Sequence, residues 1–247
     1  MRNLNTIDML NIWEQGLDQP LLQRALILLG AACPEMKPGA LAELSIGQRD
    51  ERLLQLRERL FGPQLVNTVV CPACSERMEW ENRIADIRIS SLQDESALNE
   101  FELDMDNYHL RFRLPNSLDI ADVINCDDRD KAQEDLLTRC ILKAECAGED
   151  YAVDQLPDHL IEAISQRIEA LDPQAEIRIN LHCPECSHSW DVLFDIASFL
   201  WSELNDWAER TLQLVHTLAR GYGWTEQEIL NLSPIRRQLY LGMLGHE

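Results

Sequence analysis

Four of the eight cysteines fall into two nearly identical segments. The first reads Val70-Cys71-Pro72-Ala73-Cys74-Ser75 and the second His182-Cys183-Pro184-Glu185-Cys186-Ser187. Each follows an alternating or β-branched apolar run and leads to a tryptophan, Trp80 or Trp190. Thiolates separated by two residues can grip one metal ion from a single tight turn, and the proline fixes φ so that backbone N–H groups can aim at sulfur. Together the knuckles supply Cys71, Cys74, Cys183 and Cys186, a tetrahedral four-thiolate set of the kind zinc prefers. Four thiolates close the coordination sphere and leave no position for a reacting water, so the expected cofactor is a structural zinc. Zinc-ribbon halves commonly lie about 15–20 residues apart; here most of a domain is inserted between them. A thioredoxin-like redox site would need one exposed dithiol rather than two matched ones. Disulfides are disfavoured, because Met1–Thr6 has no apolar signal core and a reducing cytosol is the expected compartment. His182 and His188 flank the second knuckle and could replace a cysteine, but chelation by His182 beside Cys183 is awkward, and both read better as ordinary loop or strand residues. Cys33, Cys126, Cys140 and Cys146 have no paired spacing. The last three fall on or near a helical pattern, where cysteine behaves as a small apolar group.

No other residue set carries recognisable chemistry. There is no nucleophile elbow with a Ser–His–Asp order, no phosphate-binding glycine loop and no histidine pair at metal-protease spacing, so no catalytic residue is assigned and no enzyme is expected. Asp127, Asp128 and Asp130 resemble part of a diphosphate–magnesium motif, but no second acidic cluster answers them, and a solvated helix segment is the better account. The chain carries 43 acidic residues against 22 basic ones, a formal charge of −21. That excess repels a phosphate backbone and argues against nucleic acid as a partner. It suits solubility, or docking on basic protein surfaces. No segment approaches a membrane-spanning apolar run.

The elements that must position the knuckles follow from periodicity. Ile7, Leu10, Ile12 and Trp13 form one helical apolar set, and Leu21, Leu22, Ala25, Leu26, Leu28 and Leu29 another. Pro34 and Pro38-Gly39 interrupt the pattern. Ser45 and Gln48 form a capping box for a helix through Leu53, Leu56 and Leu60, which Gly62-Pro63 ends. Phe101–Met105 and Tyr108–Leu114 alternate around Asp106-Asn107 and predict a hairpin. A helical pair is then expected, the first member over about Leu118–Ala144 and the second over about Pro157–Leu171. Ile177, Ile179 and Leu181 return to alternation, so the insertion comes back as a strand and both knuckles are expected to meet on a small sheet. Val192 and Phe194 continue the alternation. A long amphipathic helix follows from Phe199 to Leu218, Gly221–Trp224 breaks it, and Thr225 with Glu228 caps a short helix. Ser233-Pro234 starts a last helix, with Tyr240, Leu241, Met243 and Leu244 as its apolar face.

The expected fold class is therefore α+β: mainly helical lobes around a small antiparallel sheet with a split four-cysteine, zinc-ribbon-like site. Five regions are expected. They are 1–62 (helical), 63–115 (first knuckle and hairpin), 116–172 (inserted helices), 173–196 (returning strand and second knuckle) and 197–247 (C-terminal helices). A partner surface is expected in the last region, on Trp201, Tyr222, Trp224, Arg236, Arg237 and Tyr240, since aromatic residues and arginine are enriched among binding hot spots. The two arginines sit on the first turns of a helix, where the dipole disfavours positive charge and a carboxylate partner is called for, within the fold or on another subunit. The competing reading is internal: Trp224 pins the glycine-flanked turn to the long helix, and the arginines bridge to acids of the same chain.

Several runs carry a family resemblance. They are Ile46-Gly47-Gln48-Arg49-Asp50, Leu53–Glu58 with Phe61-Gly62, both knuckles, Phe194–Trp201, Tyr222–Leu230 and Leu232–Leu241. In these the chain resembles proteins grouped with the T-even phage baseplate, from contractile phage tails and related injection systems. The resemblance implies a non-enzymatic baseplate or hub component, or a factor that assembles one, with baseplate, spike or tube proteins as partners. It adds incorporation into a phage-tail-like particle to the cytoplasmic expectation. Two alternatives stand beside it: a cytoplasmic assembly chaperone or cargo adaptor absent from the finished particle, and a zinc-ribbon regulator associated with nucleic acid.

Overall fold

Capping and turn residues divide the chain into short, well-marked pieces. The structure, a computed structural model, describes residues 1–89 and 100–244. In chain order it runs α1 (Thr6–Gly16), α2 (Leu21–Ala32), α3 (Pro38–Ala42), α4 (Ile46–Phe61), β1 (Gln64–Val70), β2 (Arg77–Arg83) and α5 (Ile84–Ile87). It continues through β3 (Phe101–Met105), β4 (Tyr108–Phe112), α6 (Ser117–Val123), α7 (Arg129–Cys140), β5 (Ile141–Cys146), β6 (Glu149–Asp150) and α8 (Asp158–Leu171). The last elements are β7 (Ile177–His182), β8 (Ser189–Phe194), α9 (Ile196–Tyr222), α10 (Glu226–Leu230) and α11 (Pro234–Leu244). The fold class is α+β, as expected. Two units result, one of Met1–Glu35 with Ala197–Glu247 and the other of Met36–Ile196.

The first unit is helical. Asn5 and Asp8 form a reciprocal capping box at the start of α1, which then buries Met9, Leu10 and Ile12. Helix α2 buries Ala25, Leu28 and Leu29 and packs on α1. Gly16 is required at the end of α1, because a Cβ there would stand 2.3 Å from the Trp201 indole. Along α9 the buried residues Leu200, Leu204, Ala208, Val215 and Leu218 recur at helical spacing. Gly223, at φ +71°, turns the chain after α9, and Thr225 with Glu228 forms the predicted capping box of α10. Ser233 caps α11 by accepting the Arg236 N–H at 3.3 Å.

The second unit holds the inserted sheet and the knuckles. Ser45 and Gln48 cap α4 reciprocally, and Gly62 at φ +89° ends it, both as predicted. Strands β3, β4, β5 and β6 form one antiparallel sheet in that order. Asp106 and Asn107, at φ 50° and 66°, make the predicted hairpin turn; two positive φ values match the strand twist. Leu110 and Phe112 of that sheet pack with Leu137, Ile141, Leu160 and Ile164, which closes a small core under α7 and α8.

Two expectations need correction. The helix predicted over Leu118–Ala144 is two helices and a strand: Asp128 accepts the N–H groups of Asp130 and Lys131, starting α7 afresh, and β5 then pairs with β4. Cys146 accordingly lies on a strand rather than on a helix. The knuckles also do not share a sheet. Each is the tip of its own two-stranded ribbon, β1–β2 or β7–β8.

A buried carboxylate anchors the segment before β7. Asp172 accepts the Gly47 N–H at 2.9 Å, at the N-terminus of α4, where the helix dipole favours an anion. Gly47 leaves room for it: a Cβ there would lie 2.0 Å from Asp172 Oδ1.

Candidate metal centre and docking surface

Both knuckles are built alike. Ribbon pairing ends at Val70↔Arg77 in one and at His182↔Ser189 in the other, leaving the equal loops Cys71–Glu76 and Cys183–His188. In the first, the Cys71 N–H donates to the Glu76 carbonyl at 2.8 Å and the Ser75 N–H to the Cys71 carbonyl at 2.9 Å. In the second, Cys183 to His188 and Ser187 to Cys183 repeat the same two bonds at 2.8 and 2.9 Å. Ser75 and Ser187 adopt matching left-handed φ values of 63° and 61°, which turn each loop back on itself. Trp80 of β2 is buried, edge-on to Phe194 with ring centroids 6.1 Å apart.

The loops bring together all four predicted ligands. Their sulfurs lie within 4.8 Å of one another, with Cys71 to Cys186 at 3.7 Å and Cys74 to Cys183 at 3.6 Å. A tetrahedron with metal–sulfur bonds of about 2.3 Å has edges of roughly 3.8 Å, so this set could bind one metal ion. The first cysteine of each knuckle is buried and the second exposed, which places the cluster at the protein surface with one flank open. His182 and His188 take other roles: His182 pairs with Ser189 Oγ at 3.0 Å, and His188 stacks on Trp190.

The sulfurs perturb one another. Burial opposes ionisation of Cys71, but the N–H groups of Cys74 and Ala73 and nearby sulfurs outweigh it and hold this thiol down to about 7. The Glu76 N–H favours the Cys74 thiolate, yet the Cys186 sulfur, desolvation and the other two sulfurs push it up to about 12. Cys186 also rises: the His188 N–H favours its thiolate, while desolvation and the Cys71 and Cys183 sulfurs oppose it. Ionisation is favoured at Cys71 and opposed at Cys74 and Cys186. A central cation would relieve that conflict by replacing protons on the sulfurs.

The six residues expected to form a partner surface divide by environment. Trp201 is 7% exposed, packed on Gly16 with the Arg24 guanidinium 4.5 Å over its ring. Tyr222, Trp224 and Tyr240 form a half-buried cluster: Tyr222 stacks on Trp224 at 4.5 Å, Trp224 meets Tyr240 edge-on at 4.9 Å, and the Tyr222 hydroxyl donates to the Tyr240 carbonyl at 3.1 Å. Arg236 is exposed and Arg237 is buried. The sequence reading missed the outer face of α11. There Ile235, Leu239 and Met243, 74%, 59% and 58% exposed, form an apolar strip at spacings of four. The spacing itself was the available signal. Met243 belongs to this outer strip, whereas Tyr240, Leu241 and Leu244 pack inward.

No helix among the described residues is long and apolar enough to cross a membrane. Comparisons with curated proteins and with solved structures return no match. A family model described as the T4 bacteriophage base plate protein matches residues 15–201, a span that contains α4, both ribbons and all four clustered cysteines. With most of its length matched in this way, the chain belongs to the T4 bacteriophage base plate protein family.

Proposed function

We propose that the protein is a non-enzymatic structural component of the baseplate of a contractile tail or injection system, stabilised by one zinc ion on Cys71, Cys74, Cys183 and Cys186. The family match over residues 15–201 is the observation that carries the baseplate reading. Zinc is the favoured ion because four soft thiolates in a closed tetrahedral set suit it and leave no open position for chemistry. In this reading regions 63–115 and 173–196 are the halves of a split ribbon, and 116–172 is its insertion. Regions 1–62 and 197–247 supply the flanking helices.

The partners in this proposal are baseplate, spike or tube proteins. The C-terminal segment contacts them through Arg236, Arg237, the Tyr222, Trp224 and Tyr240 cluster and the outer strip of α11, with Trp201 as internal support. An exposed apolar strip rimmed by arginine and half-buried aromatic rings has the composition of an interface core. The formal charge of −21 works against a nucleic-acid role. Incorporation into the particle follows synthesis in the cytoplasm.

The test is a strain lacking the gene. Electron microscopy should find no complete particles, or tubes without baseplates, with assembly restored by the wild-type chain. Normal, contractile particles in the deletion strain would overturn the assignment.

A further inference from the structure

Arg237 is only 6% exposed, yet among the described residues its side chain pairs with no carboxylate. Its guanidinium makes one bond, donating to Thr6 Oγ1 at 3.2 Å. Arginine has five N–H donors, and a buried cation without an anionic partner is costly. Desolvation holds its pKa below the usual arginine range, the direction expected for a charge short of a partner. Arg237 lines a cleft of about 510 Å³ in the helical unit.

The lining has a clear chemical bias. Arg210 joins Arg237 at the cleft, Met9, Trp207 and Leu214 give it an apolar wall, and no aspartate or glutamate lines it among the described residues. In a chain with 43 acidic residues this is a local reversal of charge. Pro234, at the start of α11, also borders the cleft, and the dipole of that helix favours an anion. The ligand is therefore anionic with an apolar flank. A carboxylate on a protein fits both features, because a guanidinium binds it through two parallel N–H bonds. A polyphosphate chain does not fit, since the whole molecule repels it.

We propose that this cleft is a docking pocket for a carboxylate presented by another baseplate protein, an aspartate or glutamate beside an apolar side chain. Arg237 grips the carboxylate, Arg210 covers it, and Trp207 packs on the apolar neighbour. Pro234 and Gln238 of the cleft adjoin Ile235 and Leu239 in sequence, so pocket and outer strip share α11. The proposal rests on the baseplate reading and gives it a chemical address.

The experiment uses the full chain against overlapping peptides tiling the baseplate, spike and tube proteins of the same particle. Each binding peptide is remade with Asp→Asn or Glu→Gln. The chain is made as wild type, Arg237→Gln, Arg210→Gln and, as a control away from the cleft, Arg220→Gln. At least one acidic peptide should bind. The amide replacement and Arg210→Gln should each weaken it roughly ten-fold or more, the order expected for a charge-assisted bond, with Arg220→Gln unchanged. Should Arg237→Gln fail to fold, the exposed Arg210 and the amide peptides decide the matter. Absence of binding peptides, binding indifferent to Arg210→Gln, or an oligonucleotide taking the cleft instead would overturn the proposal. If that happens while the chain is still required for assembly, the cleft is removed and the baseplate assignment stands.

Discussion

At the scale of single residues, Cys183 and Asp50 act on stability by different means. Cys183 is fully buried, and its sulfur lies 3.6 Å from that of Cys74 across the two knuckles. Cys183→Ser is expected to abolish stoichiometric zinc and to lower Tm well beyond the ordinary scatter of surface substitutions. Structural zinc contributes an apparent ~10–16 kcal/mol in small peptides, and each kcal/mol shifts Tm by about 2–4 °C in a chain of this size. Elemental analysis and a thermal melt check both. Asp50 behaves differently. Burial pushes its carboxyl up to about 6 against the pull of Arg49, whose Nε lies 2.7 Å away, and Asp195 and Asp172 add to the rise. An unfolded aspartate titrates near 3.8. This group's stabilising contribution is therefore full below about pH 4 and lost as pH climbs through about 6. The stability of wild type relative to Asp50→Asn should fall across that window by on the order of 3 kcal/mol, then stay level. Urea melts of the two proteins at pH 4 to 7 measure it, and parallel curves would contradict it.

At the scale of elements, local rules were readable and long-range ones were not. The boxes Ser45–Gln48 and Thr225–Glu228, the turn Asp106-Asn107 and the knuckles each depend on residues a few positions apart, and each forms as read. The α7–β5 junction was hidden because Leu137, Ile141 and Ala144 keep a helix-compatible spacing straight across it; pairing with β4, distant in sequence, makes the strand. The separation of the two ribbons was hidden for a related reason, since alternation reveals strands but not their neighbours. Arg237 shows how far a local argument reaches. Its placement on the first turns of a helix flagged a missing anion, but the cleft around it is built from α1 and α9. The contact of Asp172 with Gly47 is equally non-local, and it yields a test with an unusual sign. Alanine for glycine in a helix ordinarily gains about 0.5–1 kcal/mol. Gly47→Ala should instead cost about 2–3 kcal/mol, because the added methyl overlaps the carboxylate that binds the start of α4. A melt showing stabilisation would remove Asp172 as an anchor.

At the scale of the whole molecule, a strongly acidic chain combines a staple of four sulfurs with a C-terminal helix that displays apolar side chains outward. The four sulfurs gather at the tips of two ribbons whose hydrogen bonding leaves them separate. The outer strip on α11 and the adjoining basic cleft lack any covering element among the described residues of their unit. A chain with those features, in a family of baseplate proteins, is expected to remain in the structure it helps to build rather than to leave it. Quantitative mass spectrometry of purified, contraction-competent particles tests this most directly. The account predicts that the chain is present at a fixed, whole-number ratio to the other baseplate proteins and stays through stringent washing. Its presence in assembling cells but absence from finished particles would contradict the account and make it an assembly factor.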